Sequence, residues 1–356
     1  MFTEALMYVN EFITNRHASA AVVCIGTKDR IWGPYAYGRL SFFPEAPETQ
    51  PDTIFDIASL TKVVSTTTLT LMLREKGVLS LDSTIGSLFP EAPPDKHRIT
   101  ITHLLSHTAG FPSHAPLYAD PKFVHSEGAL KTALAVPLEY EPGSRVVYSC
   151  IGFIVLGCLI ERITGEPLDQ LFQQYIGQPL GLDDTTYRLS AAQSERTAFT
   201  EWDPVERRFL QGVVHDENAR ALGGISGNAG LFSTAADLGV FCRMILSGGQ
   251  THGETFLSEE SLSLLQKNFS GSNEEPRSIG WVLPSPRRCS AGKHVSRRAI
   301  GHTGFTGTSL WIDFERGLYA ILLTNRGHPV RTNQAILHLR PRFYNAVWQA
   351  YDGGIS

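Results

Sequence analysis

The pattern of hydrophobic and polar positions divides the 356-residue chain into three zones. The first opens on MFTEALMYVNEFITNRHASAAVV, where Glu4 and Glu11 fall among apolar positions at helical spacing, so the period predicts an amphipathic helix. Residues 20–25 are a short apolar run of strand type. Residues 31–43 carry aromatics suited to a paired strand, closed by the loop PEAPETQP. The second zone begins at Ser59. SLTKVVSTTTLTLMLREKG is long enough for about five helical turns and stops at Gly77, which takes up a left-handed C-terminal cap without steric cost. ITITHLLSHTAG, residues 151–164 ahead of Gly165, and residues 168–175 follow as short helices separated by Pro and Gly. The third zone starts near Gly230, with Ser233 expected to cap a helix over 238–246 and Asp237 in its first turn. Residues 279–283, 308–313 and 317–324 then read as strands, and 334–351 as a closing helix.

Strands at both ends around a helical middle imply an α/β (α+β) fold. The expected division is a discontinuous sheet domain, residues 1–65 and 230–356, holding a mostly helical insertion, residues 66–229, with an active site between them. No repeat of 20 to 50 residues is present.

Composition narrows the function. Apolar residues make up 42% and charged residues 19% of the chain, as in an ordinary globular protein, and a formal net charge of -4 is too mild for a polyanion partner. Nucleic acid is therefore not an expected ligand. The N-terminus has no basic segment followed by an unbroken apolar core, and no apolar run approaches the roughly 20 residues that cross a bilayer, so neither a signal peptide nor a membrane span is expected. The five cysteines, Cys24, Cys150, Cys158, Cys242 and Cys289, are odd in number and show no CxxC pair, which suits free thiols in a reducing cytoplasm.

The chemistry begins with Ser59-Leu60-Thr61-Lys62. Positions three apart on a helix share a face, so a hydroxyl stands beside an amine. Serine is a poor nucleophile until a base takes its proton, and a desolvated lysine near a helix N-terminus has its pKa pushed down toward that role. The helix N-terminus also offers N–H groups to a developing oxyanion. A second copy of the spacing, Ser290-Ala291-Gly292-Lys293, sits in PSPRRCSAGKHVSRR, whose Pro, Gly and Ser content predicts a loop without a buried lysine. His103 with His107, and His215 with Asp216, have metal-ligating residue types, but no HExxH frames them, and packing or capping is the expected role. No GxSxG elbow and no GxxxxGK[ST] loop occur, so no cofactor is expected.

Two later segments join the first tetrad: Pro142-Gly143-Ser144-Arg145-Val146-Val147-Tyr148-Ser149-Cys150, and Gly301-His302-Thr303-Gly304-Phe305-Thr306-Gly307. The order Ser-x-x-Lys, Tyr-Ser-x, His-Thr-Gly resembles the serine β-lactamase and penicillin-binding protein superfamily in its class C and D,D-peptidase branch, over nearly the whole chain. The resemblance implies an antiparallel sheet flanked by helices, with Ser59 acylated, Lys62 helping to deprotonate it and Tyr148 carrying a proton to the leaving group. It also implies that His302, Thr303 and Gly304 form a substrate-facing edge strand, with the Phe305 N–H as second oxyanion donor. Whether Lys62 or Tyr148 is the base stays open.

Two positions depart from that pattern. Cys150 stands where the family commonly has Asn, so a carboxamide that would bind a substrate amide is missing, and Cys150 is expected as an inert packing thiol. His302 stands where many β-lactamases carry Lys, and a mostly neutral imidazole is a weak clamp for a carboxylate. The segment from Gly212 to LGGISGNAGLFSTAADL resembles muramyl-peptide amidases and penicillin-binding-like proteins, and His215, Asp216 or Asn228 could touch substrate there, or the loop is structural. The expected function is a serine hydrolase for small peptide, amide or ester substrates, with D-alanyl or muramyl peptides and β-lactams among them. The alternative is a penicillin-binding or sensor protein that is acylated without efficient turnover.

Overall fold

The computed structural model describes residues 1–251, 253–286 and 289–354. Five strands form one antiparallel sheet: β1 (Ala20–Gly26), β2 (Ile31–Gly38), β3 (Ala299–Thr303), β4 (Ser309–Asp313) and β5 (Leu318–Thr324), in the order β2-β1-β5-β4-β3. Both termini therefore supply the sheet. β1, β4 and β5 are buried throughout, which is why they read as continuous apolar runs.

The strand period sorts these residues onto two faces. Ala21, Val23, Ala320 and Leu322 pack with α1 (Thr3–Thr14) and the terminal helix, Ile336–Gly353. Val22, Cys24, Ile321 and Leu323 face Leu238 and Phe241 of the helix Ala235–Leu246 and, beyond it, the helical middle of the chain. The longest helix of that middle, Cys150–Thr164, is apolar nearly all round because it is buried nearly all round, and it ends on Gly165 at φ 75°.

The helix expected from Ser59 to Gly77 is continuous but not uniform. A 3-10 turn, Ala58–Leu60, runs into π-helical Lys62–Thr67 and then α-helical Thr68–Glu75, and Gly77 closes it at φ 69°. Threonine hydroxyls compete for backbone carbonyls here: Thr68 donates to Val63 O, and Thr66 donates out of the helix to Gly227 O at 2.7 Å. Wider turns of this kind recur at functional sites.

Other boundaries moved for local reasons. β2 ends at Gly38 rather than near residue 43, because Gly38 turns at φ 80° with the Ser19 carbonyl against it. Residues 279–283 make no full strand; Gly280 at φ 78° bends the chain, leaving Val282 bridged to Gly301 and Arg277. The cap of Ala235–Leu246 is Thr234, whose hydroxyl accepts from Asp237 N–H, whereas Ser233 hydrogen-bonds Thr185. In the loop holding the second tetrad, Arg287 and Arg288 lie outside the described residues. Ser290 accepts from Trp311 Nε1 at 3.1 Å and Lys293 is exposed. Among the described residues no helix is long and apolar enough to cross a membrane.

A Cβ on Gly301 would sit 2.1 Å from the Trp311 ring inside the sheet. Gly301→Ala is expected to cost about 1–3 kcal/mol of stability through overpacking, measurable by denaturant unfolding. An unchanged midpoint would show that Trp311 moves aside freely.

Candidate active site

Ser59 sits in a turn that residue type and spacing do not predict. Ala58, just before it, has φ 47°, a left-handed conformation unfavourable for a residue with a Cβ. Asp56 holds that turn: its Oδ1 accepts from Ala58 N–H at 2.8 Å and its Oδ2 from His215 N–H at 2.7 Å. Burial raises the Asp56 pKa, opposed by those two backbone donors and by nearby His215. Asp56 was missed because a lone Asp before an apolar run reads as surface loop. Its value comes from His215, far away in sequence.

Lys62 is fully buried and donates three ways, to Ser59 Oγ at 2.9 Å, to the Asn228 carbonyl at 2.8 Å and to Cys150 Sγ at 3.7 Å. An ammonium has three protons, and all three are used. Burial pushes the Lys62 pKa down, but Cys150, Tyr148 and Asp216 push it up, and the net displacement is upward. The expectation of a lowered lysine therefore fails, because desolvation is outweighed by these neighbours. Tyr148 is also raised, chiefly by burial, with the charge of nearby Lys62 acting against that. At neutral pH the resting pair is an ammonium and a phenol.

His107 is the second residue that sequence reasoning undervalued. Its carbonyl accepts from Val147 N–H at 3.0 Å and its Nδ1 from Ser149 N–H at 3.1 Å, so it grips the backbone on both sides of Tyr148. Its ring lies 4.5 Å from the Tyr148 ring, centroid to centroid. His103 is spent elsewhere, its Nδ1 accepting from Thr100 N–H in a capping box, so the two histidines do not share a site.

β3 places His302 and Thr303 on the cleft wall, with Gly304 and Phe305 just beyond. Glycine at 304 is required by close approach of the protein to itself: a Cβ there would lie 2.1 Å from Thr308 Oγ1 and 2.6 Å from the Ile57 carbonyl. The His302 ring is buried, its Nδ1–H meets the Thr303 carbonyl at 3.0 Å, and its Nε2 has no partner. Burial, with Lys62 and Arg277 nearby, holds its pKa well below the usual histidine range, so it is neutral. Neither Ser59 N–H nor Phe305 N–H takes part in a backbone or side-chain hydrogen bond among the described residues. Both residues line the same cavity, so two N–H groups are left for a ligand there.

Ser59, Tyr148, His302, Thr303, Gly304 and Phe305 line one cavity of about 900 Å³, with Lys62 buried behind its wall. Cys150 is half-buried in its wall rather than packed away, because its position begins the helix Cys150–Thr164 beside Lys62. His215 and Asp216 also line it, His215 stacking on Phe305 at 5.2 Å. Asn228 does not reach it; its side chain accepts from Ser226 and its carbonyl holds Lys62. Arg277, unremarked in the sequence, lies 5.6 Å over the Tyr148 ring, and no carboxylate pairs with it among the described residues.

A match to the beta-lactamase family extends over residues 8–340. The chain belongs to the beta-lactamase family. It is accordingly a serine hydrolase. Over 304 residues it is 32% identical to the N-acetylmuramyl-L-alanine amidase of Bacillus subtilis (strain 168), covering 78% of this chain and 68% of that one. An Escherichia coli (strain K12) protein with the provisional name D-alanyl-D-alanine carboxypeptidase is 30% identical over 336 residues, 84% of this chain and 75% of that one. Among solved structures, EstCE1, a hydrolase with promiscuous acyltransferase activity, shares the fold at TM-score 0.78 and 22% identity, covering 96% of this chain and 98% of that one. The fold is thus the one the sequence led us to expect, mixed α/β with an antiparallel sheet.

His107 and His302 are both held well below the usual histidine pKa, in each case first by burial. An unfolded histidine binds its proton near pH 6.5, so the unfolded chain takes up more protons below that pH. The stability these neutral rings allow is complete above about pH 6.5 and is lost as pH falls toward the folded pKa values, at up to about 1.4 kcal/mol per pH unit for each ring. Unfolding free energies measured from pH 8 to 5 are expected to fall in that window, and less steeply in His107→Gln.

Proposed function

We propose that Ser59 is the acylated nucleophile of a two-step acyl transfer. Ser59 Oγ bonds to a substrate carbonyl carbon, and its proton passes to the Lys62–Tyr148 pair in the form of the pair that has already released one proton to solvent. The oxyanion rests on the Ser59 and Phe305 N–H groups. Collapse breaks the bond to the leaving group, which takes its proton from Tyr148. Water then attacks the acyl-enzyme and releases the acid. The observation that carries this reading is the 2.9 Å contact from the buried Lys62 ammonium to Ser59 Oγ, beside two unpartnered N–H groups. Lys62 and Tyr148 exchange the proton as a unit, since each shapes the other's titration. In this reading the cleft lies between the discontinuous sheet domain, residues 1–65 and 230–356, and the helical insertion, residues 66–229.

The substrate is a small peptide, amide or ester, in keeping with the names of the amidase, carboxypeptidase and esterase relatives. His302 is neutral and supplies no fixed positive charge, so the carboxylate of an acidic substrate falls to Arg277, the unpaired cation over Tyr148. Cys150 leaves substrate amides without a carboxamide partner, which disfavours penicillins relative to esters.

Intact-mass spectrometry after fluorophosphonate treatment tests the nucleophile. Wild type is expected to gain one adduct, Ser290→Ala likewise and Ser59→Ala none, with ester turnover falling by at least about 10³-fold in Ser59→Ala. A stoichiometric burst of p-nitrophenol without turnover would instead mark a protein that is acylated and not released. An adduct persisting in Ser59→Ala would overturn the assignment.

For Arg277→Ala, KM for an ester bearing a free carboxylate is expected to rise about tenfold or more, with KM for the uncharged ester little changed. Equal effects on both would remove Arg277 from substrate recognition.

A further inference from the structure

The peptide that presents the Phe305 N–H is held by a buried cation in the cavity wall. Arg340, on the terminal helix Ile336–Gly353, is 6% exposed, and its Nη2 donates to the carbonyls of Gly304 at 2.9 Å and Thr308 at 2.8 Å. No carboxylate pairs with it among the described residues, and its Nε has no partner. Burial lowers its pKa to about 10, so it keeps its charge at neutral pH. A buried charge without a counter-ion is expensive, and two carbonyls are modest compensation.

The position of the cation matters more than its cost. Gly304 O and Phe305 N–H are the two ends of one peptide unit. A charged donor on the oxygen draws electron density from the nitrogen end and makes its N–H a stronger donor, the cooperativity of hydrogen bonds in series. The same turn is fixed elsewhere by Gly304 N–H to Thr308 O at 2.7 Å and by Arg326 Nε to Phe305 O at 2.7 Å. The peptide therefore cannot rotate away from the cleft without breaking several bonds. We propose that Arg340 is a positioning residue that polarises the Gly304–Phe305 peptide, so that its N–H carries more of the negative charge developing on the substrate oxygen. This rests on the acyl-transfer reading of Ser59.

The test uses the full chain with Arg340→Lys, Arg340→Gln and Arg340→Met. Two quantities are compared: kcat and KM for uncharged p-nitrophenyl butyrate, and the affinity for phenylboronic acid, whose boron bonds to Ser59 Oγ and places an anionic oxygen in the hole. In Arg340→Met we expect kcat and boronate affinity to fall together, by about 10- to 100-fold, with KM within about twofold. Gln keeps a donor without the charge and Lys keeps the charge without the fork, so both should lie between Met and wild type. Should Arg340→Met fail to fold, the Lys and Gln variants carry the comparison. Folded variants with unchanged kcat and boronate affinity, or with a rise in KM alone, would overturn the proposal. Wild type that neither turns over the ester nor binds the boronate would overturn the serine reading itself.

Discussion

A lysine ammonium buried without a carboxylate is the constraint around which the site is arranged. Lys62 must satisfy three protons from neutral acceptors, and it does so with Ser59 Oγ, Cys150 Sγ and the Asn228 carbonyl, which belong to three separate segments of the chain. Each acceptor brings its element along. Ser59 fixes the start of the 3-10 and π-helical segment, Cys150 fixes the start of the long buried helix, and Asn228 fixes the glycine-rich loop that precedes Ala235–Leu246. Removing the amine would leave these groups without the partner that converges them, so the catalytic geometry and the packing of this region share one origin.

The remaining polar groups of the cleft follow the same economy. Asp56 does for the strained Ala58 turn what Lys62 does for the three segments, tying it to His215 by two backbone hydrogen bonds. His107 grips the chain before and after Tyr148 and packs at a tilt against its ring, which fixes the ring near Lys62 without spending a charge. Both are buried and neither faces substrate from a loop. In the proposed acyl transfer they are the supports that hold the reacting groups within the tolerance catalysis demands.

Charge in the cleft is lopsided. Lys62 beside Ser59, and Arg277 and Arg340 in the cavity wall, have no paired carboxylate among the described residues, whereas Arg331 is neutralised by Glu201 and Glu217. Unpaired cations in a low-dielectric wall create a positive potential where the proposed tetrahedral intermediate would be negative. His302 is driven neutral first by burial, and Lys62 and Arg277 both add to that by opposing its protonation.

Ser59-x-x-Lys62, Tyr148-Ser-Cys150 and His302-Thr-Gly304 were legible because each is a local spacing of chemically necessary residue types, and the apolar runs of β1, β4 and β5 were legible because strands buried on both faces leave no polar alternation to confuse them. The closing helix and the Cys150–Thr164 helix were readable from period and terminal glycine. Asp56, His107, Arg277 and Arg340 were not. Each acts on a partner dozens to hundreds of residues away, and a single sequence carries no mark of which distant backbone group a side chain will meet. The direction of the Lys62 pKa was misjudged for the same reason, since desolvation can be guessed from one apolar helix but the neighbours that outweigh it come from other segments. Local propensity and residue type thus determined the elements and the reacting groups, while tertiary packing decided their supports, their charges and the shape of the cleft.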